Sequence, residues 1–223
     1  MKRSVITLLF VALVAFAGAG VAKAEVVTLT FEGVGDLQPV GDYYNGGAGG
    51  SYGIYFSPNA AGLVDNDAGG SGTFGGEPSP ETVLSSLSGR SRIMTVLDGF
   101  SEGLSFYYSA IVITGSIVVY SGLEGTGDIL AQVTLPRTPI EEAPDPTGLY
   151  SPFLPFGVDF EGTAYSVGFE GQNEFILFDD ITLNLNRQGP NGPQPAPTPE
   201  PGTMFLMGAG LLGMLGMRRR FKK

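Results

Sequence analysis

Between residues 25 and 187 no segment of ten or more residues repeats its apolar positions every 3.6 residues. The apolar side chains instead come in short runs, several of them strictly alternating, and the runs are separated by glycine, proline, asparagine and aspartate. A chain patterned this way has no amphipathic helix around which to build a core. It has to bury its apolar faces by laying strands on strands. Residues 26–31 set the type: Val27, Leu29 and Phe31 fall on one face, Thr28 and Thr30 on the other. Further strands are expected at 52–57, 93–97, 103–109, 115–121, 128–135, 156–160, 164–170 and 175–185. In the last of these Ile181, Leu183 and Leu185 share a face, and in 103–109 Leu104, Phe106 and Tyr108 point inward. The glycine-rich residues 122–127 suit a hairpin. Residues 59–80 and 136–155 read as long loops. The expectation is an all-β antiparallel sandwich of jelly-roll type, whose ends tolerate long loops.

Composition supports a folded domain rather than a disordered one. The 35 glycines and 16 prolines are about twice average usage, yet 15 Phe and 9 Tyr supply apolar bulk for a core. Cysteine and histidine are both absent, which removes disulfides, thiolate nucleophiles and imidazole chemistry. Charge is distributed unevenly. Residues 25–217 hold all 22 acids against four arginines, Arg90, Arg92, Arg137 and Arg187, a net of −18. Such a surface repels nucleic acid and suits hard cations or neutral sugars.

Each end of the chain reads as an address. Residues 1–24 have the form of a signal peptide: Lys2-Arg3, an apolar stretch over 5–16, and the cleavage pattern Ala22-Lys23-Ala24. This implies handling by the Sec translocon and signal peptidase. Residues 25–186 form the β domain, and 187–198 a proline-rich extended linker. An uncharged apolar run occupies about 203–217, followed by Arg218, Arg219, Arg220, Lys222 and Lys223. As a helix the run is somewhat short of the ~20 residues that cross a bilayer comfortably. The basic cluster would hold its end in the cytoplasm.

Pro199-Glu200-Pro201, the glycine-bearing apolar run and Arg218-Arg219-Arg220, in that order, resemble the PEP-CTERM sorting signal of Gram-negative bacteria. The resemblance covers residues 199–223. It implies transient residence in the inner membrane and processing by an exosortase, a membrane-embedded cysteine transpeptidase. Delivery to the cell surface or to an exopolysaccharide or biofilm matrix would follow. A GPI signal would end apolar rather than basic, and a sortase substrate would carry Leu-Pro-x-Thr-Gly, which is missing.

Within the domain, Thr30-Phe31-Glu32-Gly33, Gly53-Ile54-Tyr55-Phe56 and Phe178-Asp179-Asp180-Ile181-Thr182-Leu183 are similar to β-sandwich modules of the carbohydrate-binding, galactose-binding-like type. That resemblance implies a structural Ca²⁺ between the first strand's exit and the last strand, with Glu32 and Asp180 as ligands; no other cofactor is required. The alternative is that Asp179 and Asp180 are a solvated edge pair. Asp65-Asn66-Asp67 begins like an EF-hand loop but places Gly at its fifth and sixth positions and Gly76 at its twelfth, so a plain Asn/Asp/Gly loop fits better.

Two classes of function fit these residues. A non-catalytic structural or glycan-interacting protein, holding polysaccharide and no nucleic acid, is the first. Tyr43, Tyr44, Tyr52, Tyr107 and Tyr150 are candidates for a sugar-stacking row in it, against the plainer reading of a covered outer face. A secreted carbohydrate-active hydrolase is the second, and it needs two convergent carboxylates. Asp179 and Asp180, adjacent on a strand, point apart, and Glu141-Glu142 lie in a proline-rich loop. The first class is therefore expected.

Overall fold

In a computed structural model of the chain, which describes residues 25–87, 92–139, 152–171 and 175–186, the opening alternation becomes β1 (Glu25–Leu29). A small two-stranded ribbon follows, β2 (Asn45–Gly47) with β3 (Gly50–Ser51), and then β4 (Ile54–Phe56), β5 (Ala60–Val64) and β6 (Thr82–Ser86). The remainder is β7 (Arg92–Ser109), β8 (Gly115–Tyr120), β9 (Ile129–Leu135), β10 (Leu154–Val158), β11 (Ala164–Glu170) and β12 (Leu177–Leu185). All the described residues fall within the compact unit Lys23–Arg187.

Every strand pairing is antiparallel. The long β7 belongs to two layers. Its first half pairs with β4 and β11, and β11 continues to β8 and β9. Its second half lies between β12 and β10, and β12 continues to β1 and, at Phe178, to β6 and β5. The sheet curls on itself along β7. Phe169 of one layer meets Phe178 of the other edge-on at 4.9 Å, with Phe106 5.6 Å from Phe178. This is the antiparallel β-sandwich expected from the alternation.

Three details differ from the sequence reading. Residues 93–97 and 103–109 are one strand, not two. It bends where Gly99, Glu102 and Gly103 adopt φ of 72°, 69° and 108°, and a Cβ at Gly103 would come within 2.7 Å of the Val158 carbonyl oxygen. β5 lies inside the expected loop, because Ala-Ala-Gly-Leu-Val carries no alternation. β6, with all five residues buried, has no polar face to produce one. The loop after β9 ends early, since β10 begins at Leu154.

The end of β1 is held by a polar clasp. Just beyond it Phe31 turns left-handed at φ 62°. Its N–H donates to the Tyr44 hydroxyl at 2.7 Å, and the Tyr43 hydroxyl donates to the Glu32 carbonyl at 2.7 Å. Glu32 Oε1 accepts the N–H groups of Glu81 and Thr82 at 3.0 and 2.8 Å. The buried Ser79 hydroxyl lies 2.8 and 2.7 Å from the two carboxyl oxygens of Asp179 and 3.1 Å from the Thr30 carbonyl. The N–H groups of Ser79 and Asp180 donate to Asp179 Oδ2 and Oδ1. Asp179 is completely buried, and burial pushes its carboxyl up to about 7 despite the Ser79 and Asp180 hydrogen bonds that oppose the shift. The single Ser79 hydroxyl proton is within reach of both the Asp179 carboxyl and the Thr30 carbonyl.

Arg92 is buried as well. Its Nη1 donates to the Ile176 carbonyl at 2.8 Å and its Nε to the Phe169 carbonyl, and its guanidinium sits 5.0 Å from the Phe178 ring. Burial lowers it to about 10, against the opposing pull of Glu170.

Phe178 is fully buried between the layers, so Phe178→Ala should cost about 3–5 kcal/mol, measured by denaturant unfolding; a loss within error would mean the layers do not pack through it. Asp179 has a further pH signature. Its folded value lies above the ordinary one, so its stabilisation is complete at low pH and is lost as pH rises through about 7. Relative to Asp179→Asn, which keeps the shape without the charge, the wild type should lose on the order of 2–4 kcal/mol between acid and alkaline ends of that window. Parallel unfolding-midpoint profiles for the two proteins would refute this.

Candidate functional site

The four strands β1, β12, β7 and β10 lie side by side, and their register places one small residue from each in a row. Thr28 pairs with Thr182, Thr182 with Ser105, and Ser105 with Gly157. These residues face away from the core, since their neighbours Val27, Ile181, Leu183, Leu104, Phe106 and Val158 are buried. A row of short side chains flanked by longer ones makes a trough. It crosses four strands, about 14 Å at the usual strand spacing. Two adjoining open depressions, of about 410 and 240 Å³, share Ser105, Gly157 and Thr182.

The two sides of the trough differ. Along one side lie Tyr107, 36% exposed, with Pro155, Phe156 and Asp180. Along the other lie Glu102, Asp159 and Asn184, and Asn184 Nδ2 donates to Glu102 Oε2 at 3.1 Å. The Thr28 and Thr182 hydroxyls meet at 2.8 Å on the floor. Two bends aim the acids. Glu102 sits at the left-handed turn of β7, and Asp180, at φ 48°, occupies the bulge of β12 between Asp179 and Thr182. Left-handed non-glycine residues carry strain and concentrate at functional sites. Burial raises the Asp180 carboxyl above the ordinary carboxylate range, and the nearby Glu32 charge adds to the rise.

The residues expected from sequence are redistributed. Glu32 and Asp180 are near enough for their charges to interact, but Glu32 Oε1 already holds two backbone N–H groups. Among the described residues no group of three or more carboxylates comes together around a cation. Asp179 and Asp180 do not converge: the first is in the core and the second lines the trough. Of the five tyrosines, Tyr44 is a core residue whose hydroxyl burial drives well above the tyrosine range. Tyr43 is packed against the core and Tyr52 beside it. Only Tyr107 reaches the trough, and Tyr150 lies outside the described residues, as do Glu141 and Glu142. Asp65 is buried in a closed turn, its Oδ1 accepting the Asn66 N–H and its carbonyl the Gly70 N–H.

The floor residues and the acids Glu102 and Asp159 were not singled out from sequence. Alternation marks Thr28 and Thr182 as outward-facing, but only the register shows that they adjoin Ser105 and Gly157. The cleavage residues Ala22 and Ala24, the motif residues Pro199, Glu200, Pro201, Arg218, Arg219 and Arg220, and the expected membrane helix at 203–217 all lie outside the described residues. Among the described residues no helix is long and apolar enough to cross a membrane.

No curated protein matches the chain. Among solved structures it is similar to the K1 cleaved adhesin domain of Lys-gingipain from Porphyromonas gingivalis W83, with 15% identity over 73% of this chain and 99% of that one and a TM-score of 0.45. It is also similar to a family 11 carbohydrate-binding module from Clostridium thermocellum, solved with a β-1,3-1,4-mixed-linked tetrasaccharide. There the identity is 12% over 74% of this chain and 98% of that one, with a TM-score of 0.32. With TM-scores below 0.5, these likenesses leave the ligand to be argued from this chain's own residues. Residues 197–220 match the model of the PEP-CTERM protein-sorting motif. The chain thus carries a sorting signal processed by an exosortase, and it is an exported, surface-targeted protein.

Proposed function

We propose that the protein is a non-catalytic, surface-delivered module that holds polysaccharide of the cell surface or its matrix in the β1–β12–β7–β10 trough. The observation that carries the reading is the trough itself: an exposed aromatic ring beside a floor of hydroxyls, flanked by carboxylates and an amide. Sugars present C–H faces that stack on an aromatic ring and hydroxyls that exchange hydrogen bonds with such groups. The sites are on paired strands, which fix geometry better than loops. An open trough also admits a chain from either end, as a polymer requires.

The hydrolase alternative needs an acid and a nucleophile or base on either side of one bond. Asp179, the carboxyl with the strongest rise into the range of a general acid, is sealed in the core and engaged with Ser79. That favours binding over turnover.

Two experiments test these statements. The full-length chain, purified in mild detergent, should bind polysaccharides on a glycan array and release no reducing ends from them. Tyr107→Ala should weaken that binding about tenfold or more, by analogy with the ~1–3 kcal/mol that stacking on an aromatic side chain contributes elsewhere, while leaving the melting temperature within a few degrees. Turnover that vanishes when Glu102 and Asp159 are changed to amides would establish the hydrolase instead. For the sorting signal, replacing Pro199, Glu200 and Pro201 with alanine should leave an uncleaved form retained in the membrane fraction of the native host. Unchanged mature mass and location would refute exosortase processing through this motif.

A further inference from the structure

The trough's charge narrows the class of sugar. Among the described residues its two adjoining depressions are lined by three carboxylates, Glu102, Asp159 and Asp180, and by no lysine or arginine. Nor does any described lysine or arginine stand elsewhere on this face to balance them. Of the four arginines in residues 25–217, Arg92 is fully buried beneath Phe178, Arg137 follows β9, which pairs only with β8 in the other layer, and Arg90 and Arg187 lie outside the described residues. The domain's net charge of −18 adds a long-range field of the same sign. A glycan bearing carboxylates or sulfates would be repelled from this floor, and a neutral glycan would meet the acids with hydroxyl donors alone and leave their charge unbalanced. A protonated amine on the sugar supplies what the trough lacks: a compact cation with three donors, to be placed among carboxylate acceptors.

The flanks of the row suit a polymer lying along it. Tyr107 and Asp180 stand on one side of the row of small residues, Glu102 and Asp159 on the other. A chain lying along the trough would run over a polar floor between a stacking surface with an acid on one side and two further acids on the other. Resting on the glycan reading above, we infer that the trough selects amine-bearing polysaccharide, that is, polymers of amino sugars with free rather than acylated nitrogens. The Thr28–Thr182 hydroxyl pair and Asn184 then serve the sugar's hydroxyls, and the carboxylates serve its ammonium groups.

The test uses the full-length chain in mild detergent and two probes that differ only at nitrogen: a β-1,4-linked glucosamine hexamer and its fully N-acetylated counterpart. Isothermal titration at low salt should show the amine hexamer binding at least tenfold more tightly, and that advantage should shrink in high salt, since exposed charge pairs are screened. Glu102→Gln with Asp159→Asn should bring the two probes to within about threefold of each other. Glu124→Gln with Asp128→Asn, a change of equal charge on the exposed β8–β9 connection, should leave the preference intact. A preference that persists in the Glu102/Asp159 double variant, or that falls equally in the Glu124/Asp128 one, would show a diffuse attraction to an acidic protein and overturn the inference. If both probes bind equally and Tyr107→Ala weakens both, the glycan reading stands and the amine selectivity fails. If neither probe nor any array glycan binds, both fail.

Discussion

The sandwich depends on one buried contact, the Asp179 carboxyl against Ser79 and, through it, the Thr30 carbonyl. It joins three parts of the chain that are far apart in sequence: the exit of the first strand, the loop before β6 and the last strand. A carboxyl with no solvent exposure is costly to ionise, and burial therefore holds the proton on Asp179 toward neutral pH. The same residue anchors the bulge that turns Asp180 outward, because its Oδ1 accepts the Asp180 N–H. The core contact and the trough are thus set by adjacent residues with opposite tasks. Whatever lies in the trough does so against a strand whose position is fixed from beneath.

This arrangement explains why Phe-Glu-Gly near the start and Phe-Asp-Asp-Ile near the end belong together. Phe31 packs edge-on against Tyr44 and Phe56, Glu32 ties the loop at 81–82, and Phe178 packs against Phe169 and Phe106. The motifs are chiefly a device for closing the sandwich, with Asp180 the member that reaches the surface site. A bent β7, shared between both layers, completes the closure, and its left-handed Glu102 and Gly103 are where one side of the trough is built.

Much of this was legible in the sequence. Alternation located β1 and much of β12, because a strand with one wet face leaves a period of two, while β8, β9 and β11 were found as short β-rich runs between turn residues. It missed β5 and β6, whose residues are almost all buried and leave no such trace, and it divided β7 at a bend that glycine made look like a turn. The divergence of Asp179 and Asp180 was expected from regular alternation, but it is the left-handed bulge at Asp180 that turns the second carboxylate outward. The tyrosines did not sort themselves: five aromatic residues at loop or outer positions looked alike, yet Tyr44 closes the core and Tyr107 lines the trough. Hydropathy cannot separate them, since tyrosine is at home in both settings.

The sequence by itself determined the class of fold, the acidity of the domain, the loss of thiol and imidazole chemistry, and the sorting signal at 197–220. Each of these is local or additive, a matter of period, composition or a contiguous motif. Only the tertiary structure decided which outward residues become neighbours. Thr28, Ser105, Gly157 and Thr182 are scattered over some 150 positions and adjoin only because cross-strand register brings them into one row. Register depends on long-range pairing and on the bulges at Asp180 and Glu102, and a one-residue slip would have turned every one of these side chains to the other face.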